Sequence, residues 1–216
     1  MNRRLFLLTP GVVALARPVL ADPLPVPPSG TIGFKVLRNG TPIGEHHLIF
    51  TRNGDTLRVD LHVALLVRLA GIPIFRYMAR ATENWSGGVF QSVDSWVNEN
   101  GNQLQVQAER VANGYAIRGT HVPPYIGPSN TLPLTYWNKA MLYGTILNIQ
   151  TAHSYPAIVN SPGWNRVPTS DGGTVVAQRF NVTGKLHLSV WYDQYEQWSG
   201  LAFHLDGYET YEKLPA

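Results

Sequence analysis

A chain of 216 residues without a single cysteine can hold no disulfide, thiolate metal centre or iron–sulfur cluster. Its 17 lysines and arginines against 14 aspartates and glutamates look basic, but Arg3, Arg4 and Arg17 fall within the first 21 residues, which contain no acid. The remainder carries 14 of each sign and no basic run, so the electrostatic support for a nucleic-acid partner disappears and none is expected.

The N-terminus reads as a targeting segment. Asn2-Arg3-Arg4-Leu5-Phe6-Leu7 resembles the core of a twin-arginine export signal, and the apolar run after it is interrupted by Thr9, Pro10 and Gly11. Arg17 and the Val19-Leu20-Ala21 triplet complete a leader that ends at a suitable peptidase site. We therefore expect a cleavable signal peptide over residues 1–21 and a periplasmic product. The twin-arginine route is the first expectation and the general secretory (Sec) route the alternative. The run is too short and broken for a membrane span, so no transmembrane segment is expected in the mature chain. Residues 22–30, with Pro23, Pro25, Pro27 and Pro28, read as an extended Pro-rich linker. Residues 31–216 are expected to form one domain.

Four Asn-Gly pairs punctuate the first half of that domain: Asn39-Gly40, Asn53-Gly54, Asn100-Gly101 and Asn113-Gly114. Asn-Gly is the strongest short-range hairpin signal, because a type I′ turn needs positive φ at both central residues. With Ala70-Gly71 and Ser86-Gly87-Gly88 as further breaks, residues 31–120 hold about seven strands of a meander. A two-residue turn at Asn53-Gly54 sets Phe50 opposite Leu57, Leu48 opposite Val59 and His46 opposite Leu61, leaving His47 across from Asp60 on the polar face. His46 therefore looks inward and its neighbour His47 outward, since adjacent strand residues face opposite ways. A three-residue turn at Ala70-Gly71-Ile72 puts Phe75, Tyr77, Ala79, Ala81, Glu83 and Trp85 on the same interior face. The alternative register would bury Arg76 and Arg80. Glu83 then shares that face with His46, two strands away and about one pleat along.

Residues 121–133, rich in proline, read as a loop. Residues 134–142 ("LTYWNKAML") read as a short helix with Pro133 at its start. A strand is expected over 145–151, and a long excursion over the Pro-, Gly- and Ser-rich residues 154–173. Strong alternation returns over 174–183, in "KLHLSVWYD" and "WSGLAFHLD", and over 208–214. A hairpin turning at residues 194–197 pairs Leu186 with Leu205, Leu188 with Phe203 and Val190 with Leu201. Its reverse face pairs His187 with His204 and Lys185 with Asp206. Ten or eleven antiparallel strands curl. The expected fold is all-β with one short helix, a meander closed or half-open as a barrel, resembling lipocalin-like or periplasmic lipoprotein-carrier sheets.

The fragments "NGTPIGEH", "ENWSGG", "VNENG", "LPLTYWN" and "LSVWYDQYEQWSGLAF" together resemble a family of exported proteobacterial proteins defined only as a domain of unknown function. The resemblance spans residues 38–203. Its Gly-x-His and Glu-x-Trp patterns fall on Gly44, His46, Glu83 and Trp85. It places a glycine in the last hairpin where this chain has Glu196, and a histidine before Glu-x-Trp that this chain lacks. It implies a fold and an address but no reaction.

No Gly-x-Ser-x-Gly elbow, His-Glu-x-x-His, phosphate loop or EF-hand spacing occurs. His46 with Glu83 is the sharpest candidate for an acid–base or metal-binding pair, against the plainer reading of a satisfied interior histidine. His187 with His204 is a weak metal candidate, two ligands being too few for zinc. Trp85, Tyr77, Tyr136 and Trp137 are candidate ligand-stacking aromatics, against a packing role. No cofactor is expected. The leading expectation is a non-catalytic protein that binds a lipid or other hydrophobic or amphipathic small molecule on a curved apolar face. The alternatives are an enzyme using His46 and Glu83, and an interaction module with a solid core.

Overall fold

A computed structural model describes residues 24–205 and 207–215; the expected signal peptide lies outside them. The first half is a run of long hairpins: β1 (Thr31–Arg38), β2 (Thr41–Asn53), β3 (Thr56–Leu69), β4 (Ile72–Ser86), β5 (Val89–Glu99) and β6 (Asn102–Val111). Shorter strands follow: β7 (Gly114–Gly119), β8 (Val122–Gly127), β9 (Thr131–Pro133), β10 (Thr145–Leu147) and β11 (Ser154–Pro156). The last are β12 (Ile158–Pro168), β13 (Thr174–Thr183), β14 (Leu188–Tyr192), β15 (Trp198–His204) and β16 (Tyr208–Lys213). The seven strands expected before residue 120 are the seven observed.

Thirteen strands form one antiparallel sheet in the order β12-β13-β14-β15-β16-β1-β2-β3-β4-β5-β6-β7-β8. The C-terminal strand thus lies beside the N-terminal one, Val36 pairing with Tyr211. The sheet curls but its edges, β8 and β12, do not pair, so the barrel is half-open. Between those edges the chain leaves the wall as the small sheet β11-β10-β9 and a 3₁₀ helix, Lys139–Tyr143. Trp137, Met141, Leu142, Ile146 and Leu147 from this segment are fully buried in the core, so it plugs the interior. Ahead of β1, Leu24 and Val26 pack on the same core, and the Pro25 carbonyl accepts a hydrogen bond from Gln197 Nε2 at 3.0 Å.

The turn chemistry is largely as the sequence implies. Asn39, Gly40, Asn100, Gly101, Gly87 and Gly88 all take positive φ, as type I′ turns demand. Two turns differ. The Asn53-Gly54 hairpin turns on Gly54-Asp55, with Asn53 paired to Thr56, so β2 and β3 are offset by two residues from the expected register. His46 faces Val63 rather than Leu61, and His47 faces His62 rather than Asp60. A shift of two preserves which side chains point inward, and for that reason the face pattern alone could not detect it. In the next hairpin the turn is the two-residue Ala70-Gly71, and a bulge between Val67 and Arg68 restores the expected alignment, Val59 opposite Glu83 and Leu57 opposite Trp85.

The expected loops at 121–133 and 154–173 are corrected. They contain β8, β9, β11 and β12, which raises the count to sixteen strands among the described residues. Proline misleads here because it sits in strands where no partner needs its missing N–H. Pro123 and Pro124 lie in β8, and Pro162 at the irregularity between Asn160 and Gly163 in β12, the two edges of the sheet. Edge prolines also discourage pairing with another molecule. The expected helix over 134–142 shrinks to the 3₁₀ helix, with Asn138 Oδ1 accepting from the Ala140 N–H (3.0 Å). Pro133 belongs to β9 instead, and the strand expected over 145–151 stops at Leu147.

The last hairpin keeps its expected register, Leu188 opposite Phe203 and Val190 opposite Leu201. Leu186, His187 and Lys185 precede β14 and form no ladder pairs with residues 204 and 205, while Asp206 lies outside the described residues. Glu196, in the last hairpin, adopts φ 59°. That position needs the left-handed conformation glycine adopts without strain; here a side chain occupies it and accepts from Lys139 Nζ at 2.9 Å.

Candidate functional site

The interior is solid at one end and hollow at the other. The solid end is built around Glu83. Alternation along β4 points Glu83 and Trp85 inward together, and Trp137 arrives from the plug. The indole N–H groups of Trp85 (2.8 Å) and Trp137 (3.1 Å) both donate to Glu83 Oε2. The rings of Trp85 and Trp137 meet edge to face at 5.3 Å, and Phe50 and Phe90 complete the cluster. Glu83 is only 2% exposed. Burial pushes its carboxyl up to about 7, held from rising further by hydrogen bonds with Thr135, Trp85 and Trp137. The arrangement ties the plug to the wall through a carboxyl that titrates near neutrality.

The hollow end lies between β2–β4 on one side and β14–β16 on the other, with the plug residues Leu134, Tyr136, Ile149 and Gln150 completing the wall. It encloses about 350 Å³. Leu61, Val63, Ala79, Leu188 and Phe203 make the walls apolar, while Arg38, Glu99, Lys185, His187 and His204 stand around the mouth. This end carries the 39–40, 70–71 and 100–101 turns, with Arg38 and Glu99 beside the first and last of them, while Lys185 and His187 lie between β13 and β14 and His204 ends β15.

His46 sits on the floor. Gly44 makes its placement possible: at φ 149° it brings β2 so near β3 that an added Cβ would run into the Ala64 carbonyl oxygen. Two residues on, His46 is 3% exposed, edge-on to Trp198 (5.1 Å) and Tyr211 (5.7 Å). Neither ring nitrogen has a hydrogen-bond partner among the described residues. Burial, with a smaller contribution from His47, lowers its pKa to about 3, so the ring is neutral at any physiological pH. A neutral imidazole offers one N–H donor and one lone pair. His47, on the outer face, bonds Glu45 Oε2 at 2.7 Å, a different carboxylate from the Asp60 expected. Asp60 is taken by Arg58.

The structure does not bring His46 and Glu83 together. Ala79 lies level with His46, across Val63, and Glu83 is four residues further along β4. At roughly 3.4 Å per residue and 4.8 Å per strand, their backbones stand about 17 Å apart. Only His46 reaches the cavity. Of the four aromatics singled out, Tyr77 and Tyr136 line the cavity, whereas Trp85 and Trp137 belong to the solid end. The Tyr77 hydroxyl accepts from Gln150 Nε2. Tyr136 takes φ 69°, a conformation few bulky residues adopt, and its carbonyl accepts from the Tyr192 hydroxyl at 2.7 Å. Burial raises the phenol pKa of Tyr77, Tyr136 and Tyr211, which stay neutral. His187 and His204 are exposed at the mouth, with the His204 ring tilted against Tyr208 at 4.7 Å. Among the described residues no group of three or more His, Asp or Glu side chains is placed to hold a metal ion.

Tyr211, Phe203 and Gln150 were not among the expected site residues. Tyr211 alternates inward in "YETYEK", but its approach to His46 depends on β16 pairing with β1, which no local pattern announces.

Residues 34–214 match the family described as a domain of unknown function, DUF6134, and the chain belongs to that family. No curated protein and no solved structure matches it.

Proposed function

We propose that this is an exported, periplasmic, non-catalytic binding protein that holds one single-chain amphipathic molecule in the hollow end of its barrel. The observation that carries the reading is His46, a buried neutral ring with both nitrogens unpartnered, at the floor of an apolar cavity of about 350 Å³. Buried polar groups are normally paired, and the polar end of a ligand on the cavity floor, such as a hydroxyl or an amide, pairs the ring nitrogen it meets, whether that nitrogen carries the proton or the lone pair. At ~30 Å³ for each water-sized group, the cavity takes about a dozen non-hydrogen atoms. That suits one medium-length chain and is far too little for a diacyl lipid. The twin-arginine-like leader supports the periplasmic address.

The test is native mass spectrometry of the full chain, expressed with its own N-terminus and recovered from the periplasm, before and after denaturation. A small non-covalent mass lost on denaturation is expected. Ala79 faces the cavity, and Ala79→Phe should fold yet lose that mass and fail to bind a lipophilic dye. A bare mass in the parent, together with no dye binding by the folded protein, overturns the reading in favour of a solid-core interaction module.

A further inference from the structure

The β3–β4 hairpin outruns its neighbours. The last β2–β3 pair is Gly44 with Leu65, and the last β4–β5 pair is Tyr77 with Glu99. Residues 66–75 therefore project as a two-stranded tongue, about 14 Å long at 3.4 Å per residue, from the end where the cavity opens. Its inner side chains, Val67 and Phe75, continue the cavity wall to the mouth. Its tip is apolar and bare: Leu69 and Ile72 are 67% exposed and Ile74 54%. Leu205 and Tyr208, on the turn between β15 and β16 at the same end, are exposed as well. A monomer rarely leaves such side chains grouped on a projection without use.

Charge narrows the partner. Arg68 bridges the tip by donating to the Gly71 carbonyl (3.0 Å), and Arg76 is exposed at the tongue's base. Neither has a carboxylate partner among the described residues. Of the acids at this end among the described residues, Glu209 is buried against Arg38, Glu45 is engaged with His47, and Glu99 is half-buried in the cavity wall; Asp206 lies outside the described residues. Apolar tip residues flanked by two such guanidiniums match the layering of a membrane surface, acyl chains beneath phosphates. A second protein copy is a poorer fit, because three aliphatic side chains on a tight turn fall far short of the ~800 Å² per partner in stable interfaces.

We propose that the β3–β4 tongue docks this protein on an anionic phospholipid surface, with Leu69, Ile72 and Ile74 entering the headgroup zone and Arg68 and Arg76 meeting phosphates. Docking there sets the cavity mouth against the bilayer, but the surface stands whatever the cavity holds.

Sedimentation with sucrose-loaded vesicles tests it, comparing phosphatidylglycerol–phosphatidylethanolamine mixtures with pure phosphatidylcholine. The full chain should pellet with the anionic vesicles and much less with the zwitterionic ones. L69S/I72S should lower partitioning about 100-fold, the loss of two buried aliphatic side chains. R68Q/R76Q should lower it roughly 25-fold at low salt, and by less as salt screens the parent's own attraction. Both variants alter exposed positions, so circular dichroism should match the parent. Ala79→Phe should still pellet, which separates this surface from the cavity reading. The proposal is overturned if the folded parent ignores anionic vesicles or if L69S/I72S pellets as the parent does. It is also overturned if light scattering shows a parent dimer that L69S/I72S splits, without vesicle binding.

Discussion

Between pH 4.5 and 6.5 two buried groups should hold stability nearly level against each other, and removing either should tilt the profile by about 3 kcal/mol. His46 has its pKa lowered from 6.5 to about 3 by burial. The unfolded chain therefore takes up a proton that the folded one refuses. Stability is complete above pH 6.5 and falls as pH drops toward 3, by up to about 5 kcal/mol at 1.36 kcal/mol per tenfold. Glu83 runs the other way. Its pKa rises from 4.5 to about 7, so its contribution is complete below pH 4.5 and is lost as pH climbs to 7, by about 3 kcal/mol.

In E83Q the amide oxygen still accepts the two indole N–H groups, and the titration is gone. Urea unfolding of E83Q should show stability rising by about 3 kcal/mol from pH 4.5 to 6.5, the His46 slope alone. In H46L the unpartnered nitrogens and their titration go together, and stability should fall by about 3 kcal/mol over the same range. Asp60 and Asp171, whose pKa values are lowered by hydrogen bonds at the surface, titrate in every variant. Differences between the curves therefore cancel them. E83Q and H46L profiles parallel to the parent's would show that neither group is held in the state its burial dictates.

Legibility in the sequence divides along a physical line. Facing is local: alternation places His46, Glu83 and the tyrosines inside because a pleat has only two sides. Register is less local, since a turn slipped by two residues leaves every face intact. That slip doubles the offset of Glu83 from His46 along the strands, from the expected one pleat to two, and leaves them about 17 Å apart. Proline signals the loss of one donor rather than a loop, so Pro123, Pro124 and Pro162 mark sheet edges that the sequence alone presents as breaks. The pairing of Glu83 with Trp137, 54 residues apart, depends on a plug whose path crosses the open seam between β8 and β12. The cavity is the least legible feature, because a void is a deficit in side-chain volume summed over strands far apart in the chain.

Gly44→Ala should be among the most damaging single substitutions, costing about 3–5 kcal/mol, for two separable reasons. One is conformational. At φ 149° the residue occupies a region open to glycine and strained for alanine, worth roughly 1–3 kcal/mol. The other is steric, since the new methyl would meet the Ala64 carbonyl oxygen, and Ala64 C and Leu65 Cα at 3.0 Å, all of them backbone atoms that no rotamer change can move. Relief requires β2 to peel from β3 at the Gly44–Leu65 pair, the last rung before the tongue, which adds roughly 1–3 kcal/mol. Gly40→Ala is the control. Gly40 also has positive φ, 78°, but an added Cβ meets nothing within 4 Å, so about 1–2 kcal/mol is expected there. Equal losses in the two variants would mean that the close approach of the strands has no energetic weight. A larger loss at Gly44 would make the Gly-x-His spacing one device, in which the glycine draws the strands together and the histidine two residues later is thereby held against the cavity floor. Any Gly44→Ala protein that still folds should then also lose the non-covalent mass, because its His46 no longer sits where the bound end would reach.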